Sequence, residues 1–368
     1  MATRTSRKAP KTTVSPMALR DGAQGISLIL LGIIAVFVVG VILLELKSVL
    51  LPFVIAVFLS IIFSPTVAGL KRKGIPTALS LLFVLLALSL VLFLIALVFT
   101  SSIDSFVNEV PKYERKLKTI IDGVVHAVNE VAIEYDIDLE QIGWSQAFQF
   151  SSVASALTSG VGSFLNLLTN LFLIVLFMLF ILSGSGDLAS KIRLAFPPHQ
   201  AERMGGMIRN IETRVRQYLM TKTVISAGTA LLTFLILWAT GVDFPLVWAF
   251  LTFLLNFIPN IGSIIAVIFP VALAFLQFDT AGQPLLVLIL LSVTQMAMGN
   301  VIEPKLMAFR LNLSAVMILV SLIFWGWLWG VLGMILSVPI MATVKIVLEH
   351  VEPLRPYAVL MGGPAEQR

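Results

Sequence analysis

Residues 244–278 read FPLVWAFLTFLLNFIPNIGSIIAVIFPVALAFLQF, a nearly continuous apolar stretch interrupted in its middle by Pro259-Asn260-Ile261-Gly262. Each arm beside the interruption has about 15 residues, which as a helix reach roughly 23 Å and fall short of a hydrocarbon core of about 30 Å. Non-helical backbone at membrane depth is tolerated where protein buries it or where it lines a wet cavity. The stretch therefore predicts a broken helical hairpin, either an ordinary turn between helices or part of a transport pathway.

The chain as a whole has the composition of a membrane protein. Of its 368 residues, 58% are hydrophobic and 12% are charged, whereas about a quarter of the residues in soluble domains are charged. The long apolar runs lack the period-two alternation of an outer-membrane barrel. We expect an all-α polytopic membrane protein with about eight transmembrane segments, some of them discontinuous or re-entrant helical hairpins.

The sequence offers little catalytic or metal-binding chemistry. It has no cysteine and three histidines without metal-ligand spacing, so we expect no metal site and no cofactor. No G-x-x-x-x-G-K-[ST] loop occurs, which argues against ATP-driven pumping. The string GSGD at 184–187 matches one found in intramembrane aspartyl proteases, but its potential partner Asp136 is expected on the opposite side of the membrane. The chain is therefore predicted not to be an enzyme.

Charge divides the chain into segments that alternate across the membrane. The predicted segments are a disordered basic tail (1–25), three transmembrane helices (26–103), an external amphipathic segment (104–160), a fourth transmembrane helix (161–183), a basic cytoplasmic helical segment (184–222), a C-terminal transmembrane bundle with two broken hairpins (223–349) and a cytoplasmic tail (350–368). The basic segments fall on one side, as the positive-inside rule requires. We therefore expect an inner-membrane protein with a cytoplasmic N-terminus, and the net charge of +5 does not predict a nucleic-acid partner.

The external segment carries an apolar stripe at helical spacing. Its members are Phe106, Val110, Tyr113, Leu117, Ile120 and Val124. Such a stripe is expected to rest on the bilayer or on the protein's own bundle, and partner binding is the alternative.

Polar residues are rare in the C-terminal bundle, and they occur near the breaks. Amides and a carboxylate at depth suit a small polar solute or a partly dehydrated monovalent cation. The candidate pathway residues are Asn256, Pro259, Asn260, Gly262, Gln295, Asn300 and Glu303, and the candidate hinge or packing residues are Pro304, Gly326, Gly330 and Gly333. The alternative is that the amides only tie helices together and that Glu303 pairs with Lys305 or Arg310.

Five motifs near the C-terminus occur in a recognisable order. They are NFIPNIG at 256–262, NVIEPK at 300–305, LNLS at 311–314, SLIFWGWLWG at 321–330 and GMILSVP at 333–339. Together they resemble the C-terminal signature of the AI-2E family transporters, which include autoinducer-2 exporters and PerM-type permeases. Ala308 and Ala315 depart from the glycine and proline that are frequent in that family.

The resemblance implies a secondary transporter and leaves its substrate open. The leading hypothesis is export of a small polar solute, similar to autoinducer-2, by alternating access. One alternative is a Na⁺(Li⁺)/H⁺ antiporter, for which Glu303 is the candidate carboxylate, and another is a non-transporting membrane scaffold that uses 104–160. The partners expected are the lipid bilayer and a small polar solute or monovalent cation. The resemblance also implies a homo-oligomer, with a pentamer as the expected size.

Overall fold

The structure is a computed structural model that describes residues 30–91 except 33 and 36, residue 93, residues 109, 112–113, 115–120 and 123, and residues 170–307 and 312–363, without the side chains of 185–189. Every regular element in these ranges is helical. This confirms the prediction of an all-α protein. The chain divides into two compact units, residues 1–50 and 51–368. The predicted N-terminal tail, 1–25, and most of the external segment, 104–160, lie outside the described residues.

The helices are numbered in chain order. They are α1 (Leu30–Glu45, described except at 33 and 36), α2 (Lys47–Arg72), α3 (Thr77–Val91), α4 (Leu171–Ala195), α5 (Pro198–Thr240), α6 (Pro245–Leu255), α7 (Ile261–Gln277), α8 (Gly282–Met296), a π-helical turn (Ala297–Ile302), α9 (Glu303–Leu306), α10 (Ala315–His350), a 3₁₀ turn (Glu352–Leu354) and α11 (Arg355–Leu360). Among the described residues, four helices are long and apolar enough to cross a membrane: Lys47–Arg72, Pro198–Thr240, Gly282–Leu306 and Ala315–His350. The prediction of a polytopic membrane protein is thus confirmed.

Helix α5 is the longest of the described helices and supports both hairpins. Its 43 residues reach about 65 Å, roughly twice the thickness of a hydrocarbon core. Its basic first half and its apolar second half are continuous, so the predicted boundary at 222/223 coincides with no break in secondary structure. The helix ends at Gly241, which adopts the left-handed conformation (φ 73°) common after helix C-termini.

The first hairpin consists of α6 and α7. Helix α6 has 11 residues and α7 has 17, lengths of about 17 and 26 Å, so neither arm matches the thickness of the hydrocarbon core. At the open end, the Gln277 side chain accepts a hydrogen bond from the Asp243 amide at 2.8 Å and donates one to the Gly241 carbonyl at 2.7 Å. This end of the hairpin is therefore fixed to the end of α5.

The second hairpin is helix α10, which bends back on itself at Gly330. This glycine has φ 68° and ψ −147°, values that a residue with a side chain rarely adopts. Ser321 donates a hydrogen bond to the carbonyl of Ser337 at 3.0 Å, and Lys345 donates one to the carbonyl of Asn312. The residues before and after Gly330 therefore form two antiparallel arms, the first about 23 Å long, and the 36 residues of α10 do not make one straight crossing.

The two hairpins enter the bundle from opposite ends of α5. The open end of the first is held at Gly241, where α5 ends. The open end of the second is joined to the C-terminal segment, since the Ser314 amide donates to the Met361 carbonyl at 2.9 Å. In the same segment Glu352 forms an ion pair at 3.1 Å with Arg203, near the start of α5. In the structure the two hairpins therefore have opposite orientations along α5.

The C-terminal segment packs against the protein. Within the predicted tail 350–368, Ala358 is fully buried and Met361 is nearly so. The described part of this segment thus closes the open end of the second hairpin.

Two buried apolar cores lie in the described part of the second unit. One joins α2, α3 and α4 through buried residues that include Ala56, Val84 and Met178. The other surrounds the first hairpin and includes Leu237, Trp248, Ala274 and Tyr113. Tyr113 belongs to the external amphipathic stripe, and Leu117 packs against the same core. These two members of the stripe rest on the protein's own bundle, whereas Phe106, Val110 and Val124 lie outside the described residues.

Tyr113 and Lys116, in the segment predicted to be external, also contact the two aspartates that flank the first hairpin. The Tyr113 hydroxyl donates to the Asp243 carboxylate, and Lys116 forms an ion pair with Asp279 at 2.8 Å. Burial, followed by the nearby Asp243 carboxylate, raises the pKa of Tyr113 well above its usual range, so the phenol remains a donor. The Lys116 hydrogen bond and charge lower the pKa of Asp279.

Tyr113→Phe is expected to destabilise the protein by about 1.5 kcal/mol, because a hydrogen bond to a charged group is removed while the ring remains buried. Thermal unfolding of the purified protein in detergent measures the change. Thr119→Val is the matched control, since the Thr119 hydroxyl bonds to the Arg115 carbonyl of its own segment, at 3.0 Å. Equal stability of Tyr113→Phe and the wild type would show that this contact does not hold the segment in place.

Candidate functional site

One face of α5 is polar where the helix would be expected to be apolar. Lys222, Ser226, Thr229 and Thr233 follow one another at spacings of four, three and four, which places them on one side of the helix. Their exposed fractions are 4%, 0%, 0% and 1%. Counted back from the end of α5, Thr233 lies about 11 Å, Thr229 about 17 Å and Lys222 about 27 Å along the axis. The polar face therefore spans about 16 Å, roughly half the thickness of a hydrocarbon core.

The end of α6 brings Asn256 to this face. Asn256 is buried, and its side-chain amide donates to the Ser226 hydroxyl at 3.2 Å and lies 3.5 Å from the Thr229 hydroxyl oxygen. Thr252 lies one turn earlier on the same face of α6, and its hydroxyl has no hydrogen-bond partner although the residue is 1% exposed. We call Ser226, Thr229, Thr233, Thr252 and Asn256 the polar seam between α5 and α6.

The tip of the first hairpin consists of Pro259, Asn260 and Gly262. Helix α6 ends at Leu255 and α7 begins at Ile261, so Asn256 and Asn260 do not share the face of a continuous helix. Asn260 is exposed and has φ 61°, whereas Asn256 is buried. Gly262 is buried against the preceding arm, since a Cβ atom there would lie 1.7 Å from the Leu255 carbonyl oxygen.

The remaining candidate polar residues lie on α8 and the turn that follows it. Gln295 is half-buried near the end of α8, and Asn300 is exposed in the π-helical turn. Such turns are rare, and they occur often at functional sites. The turn also changes the helical register, which explains why Asn300 is exposed while Glu303, three residues later, is half-buried.

Glu303 makes an ion pair that the sequence did not predict. Its carboxylate lies 2.6 Å from the Lys222 ammonium group, with exposed side-chain fractions of 23% and 5%. Glu303 therefore pairs across the bundle with Lys222 of α5. The alternative interpretation had paired it with Lys305 or Arg310, and Arg310 lies outside the described residues. Since Lys222 lies one turn from Ser226, the ion pair is next to the polar seam.

The candidate hinge residues occupy different environments. Pro304 is exposed in α9, and Gly330 forms the bend of the second hairpin. A Cβ atom on Gly326 would lie 2.8 Å from the flexible Met334 side chain, but one on Gly333 would lie 1.9 Å from the Trp325 carbonyl oxygen. Gly333 is therefore in close backbone contact, as Gly262 is in the first hairpin.

Sequence reasoning missed Lys222, the three hydroxyl residues of α5 and Thr252. Lys222 was assigned to the basic cytoplasmic segment, and single Ser and Thr residues are unremarkable in an apolar helix because they bond to carbonyls one turn back. Thr229 does this with Ile225 at 2.8 Å. The spacing of these residues on one face, continued from Lys222, was the available signal.

Comparison with known proteins agrees with the motifs. The family model described as AI-2E family transporter matches residues 29–352. The chain belongs to this family. Its relatives include a "Putative transport protein" of Haemophilus influenzae, 33% identical over 337 residues that make up 90% of this chain and 95% of the relative. The "AI-2 transport protein TqsA" of Escherichia coli K12 is 33% identical over 90% of this chain and 94% of its own length. The "Putative transport protein YhhT" of Escherichia coli K12 is 28% identical over 86% of this chain and 88% of its own length.

Membership of the AI-2E family confirms the resemblance of the five motifs and fixes the broad role of the chain. It is a multi-pass membrane protein of a transporter family, which implies a non-enzymatic role. The polar seam and the Lys222–Glu303 pair both lie within the matched residues.

Proposed function

We propose that this AI-2E family chain is a secondary transporter of the inner membrane that exports a small polar solute by alternating access. The observation that carries the proposal is the contact of Asn256, at the break of the first hairpin, with the hydroxyls of Ser226 and Thr229 inside α5. Broken helices with polar groups near the midplane are a common basis for solute sites in transporters. Two hairpins that enter from opposite ends provide elements able to open each side in turn.

Autoinducer-2 is the first solute to test. The E. coli relative TqsA is named as an AI-2 transport protein, and the match covers nearly all of both chains. The candidate pathway comprises Asn256, Pro259, Asn260, Gly262, Gln295, Asn300 and Glu303, to which Lys222 and the polar seam are now added. We further propose that the protein works as a homo-oligomer in the bilayer.

Asn260→Leu is expected to lower the rate of autoinducer-2 efflux at least tenfold and to lower stability by only about 1–2 kcal/mol, because leucine tolerates the positive φ of this position less well than asparagine does. Asn260 is exposed at the hairpin tip, so its amide contributes little to packing and is free to contact a solute. Efflux from liposomes with the purified variant measures the change, with the oligomer checked in detergent. Normal efflux by Asn260→Leu would place the solute contact elsewhere.

Cation/proton antiport is the second candidate function, and the Lys222–Glu303 pair favours it. A carboxylate and an ammonium group 2.6 Å apart, largely screened from solvent, can exchange a proton for a cation when the pair separates. Dissipation of a pH gradient by added Na⁺ or Li⁺ in the same liposomes distinguishes the two functions. Efflux without any cation-dependent proton movement would eliminate antiport.

The proposed orientation places the N-terminus and the basic half of α5 in the cytoplasm. Because the chain has no cysteine, a single cysteine introduced at Ser145, in the external segment, has no background. We expect an impermeant thiol reagent to label it in intact cells, since the basic segments before and after it are expected to be cytoplasmic. Labelling only after lysis would reverse the proposed topology.

A further inference from the structure

We propose that the polar seam between α5 and α6 is a binding site for a small uncharged solute that carries hydroxyl groups, with Thr252 as a direct contact. The role of this site in transport rests on the proposed function. The class of solute that it binds follows from the side chains of the seam. Thr252 is part of none of the recognised motifs.

The first step is the position of Thr252. The backbone N–H of Asn256 donates a hydrogen bond to the backbone carbonyl of Thr252 at 2.9 Å. The two residues therefore lie one helical turn apart on one face of α6. Asn256 is level with Ser226 and Thr229, and α6 runs antiparallel to α5 after a short turn. Thr252 is therefore level with the part of α5 between Thr229 and Thr233.

The second step is the unused hydroxyl. Buried polar groups in proteins are nearly always hydrogen-bonded, because a group removed from water without a partner is unfavourable. Among the residues that the structure describes, the Thr252 hydroxyl has no hydrogen-bond partner, although the residue is 1% exposed. By contrast, Thr229 and Thr223 both satisfy their hydroxyls with carbonyls four residues earlier. Thr252 thus retains an unused donor and acceptor on the face of α6 that carries Asn256.

The third step is charge. The seam consists of hydroxyls and one amide, without an ionisable side chain, and the adjacent Lys222 is already matched by Glu303. A charged ligand in the seam would lack a counter-charge, which is costly at membrane depth. Donors and acceptors without net charge suit a neutral hydroxylated solute.

Access to the seam is tested by labelling a single cysteine. Thr252→Cys in the cysteine-free chain should react with the uncharged reagent methyl methanethiosulfonate at least tenfold faster than Val224→Cys. Val224 lies on α5 but is 66% exposed on the outside of the protein, where lipid suppresses the reactive thiolate. Glycerol, but not NaCl of equal osmolarity, should slow the reaction at Thr252. Equally slow labelling of both cysteines would overturn the site, and protection by NaCl alone would overturn the neutral-solute class.

Thr252→Val then tests the contact itself. We expect at least a tenfold rise in KM for autoinducer-2 efflux with an unchanged or higher Tm, because the hydroxyl lost has no protein partner. Thr223→Val is the matched control and should leave KM unchanged. An unchanged KM in Thr252→Val would overturn the contact.

The labelling and efflux assays separate the two proposals. A labelled, glycerol-protected Thr252→Cys in a protein that moves no autoinducer-2 would reject the export proposal and support the seam. Full efflux together with an unlabelled Thr252→Cys would support the export proposal and reject the solute site in the polar seam.

Discussion

Lys222→Met is expected to destabilise the protein by about 3 kcal/mol and to abolish transport. The Lys222 ammonium group is 5% exposed and lies 2.6 Å from the Glu303 carboxylate. Removing one partner of a buried ion pair leaves the other charge uncompensated, which costs about 3–5 kcal/mol, and the partial exposure of Glu303 places the effect at the lower end. Unfolding of the purified variant in detergent and efflux from liposomes measure the two effects.

The double variant Lys222→Met/Glu303→Met separates stability from function. Apolar residues of similar volume often replace a buried ion pair without loss of stability, so we expect the double variant to recover most of the lost stability. If the pair takes part in transport, efflux remains absent. Arg203→Met is the matched surface control, since Arg203 and Glu352 are 48% and 81% exposed and such pairs contribute about 0–1 kcal/mol. A Lys222→Met protein as stable as Arg203→Met would contradict the buried pair.

Glu303→Gln distinguishes the candidate functions at the same position. Antiport through the carboxylate requires a titratable group, so this variant should lose cation-driven proton movement while its amide keeps a hydrogen bond to Lys222. Export of a neutral solute should continue at an altered rate. Unaltered cation exchange in Glu303→Gln would exclude Glu303 as the coupling group.

The overall architecture was predictable because it depends on patterns that are local in sequence. The apolar runs, the break at Pro259–Gly262 and the glycines around Gly330 each indicate a span or a bend without reference to the rest of the chain. The alternation of charge supported opposite orientations for the two hairpins, and the contacts at Gly241 and Arg203 agree with it.

The candidate site was less predictable because its contacts join distant parts of the chain. Glu303 was selected as a carboxylate at depth, but its partner Lys222 lies 81 residues earlier. Asn256 was selected for its position beside the break, yet its contacts on α5 depend on how α6 packs after the turn at Gly241. The contact of Tyr113 with Asp243 joins residues that are 130 positions apart in the sequence. No periodicity in a single sequence specifies such pairs.

Gly262→Ala is expected to destabilise the first hairpin by about 1–3 kcal/mol or more, since overpacking typically costs that much. We expect the variant to lose efflux as well. A Cβ atom at this position would lie 1.7 Å from the oxygen and 2.6 Å from the carbon of the Leu255 carbonyl. These are backbone atoms at the end of α6, so a side-chain rotation cannot relieve the overlap and the two arms must separate. Asn256, a member of the polar seam, lies one residue beyond Leu255, so it would be displaced by the same movement.

Gly333→Ala should behave in the same way, because the overlap there is with the Trp325 carbonyl oxygen at 1.9 Å. Gly69→Ala is the matched control, since a Cβ atom on this helical glycine meets nothing within 4 Å and alanine favours a helix. Thermal unfolding and efflux of the three variants decide the issue. A Gly262→Ala protein with the Tm of the Gly69→Ala control would mean that the arms of the hairpin are not in close backbone contact. The seam would then lose the packing that places Asn256 against α5.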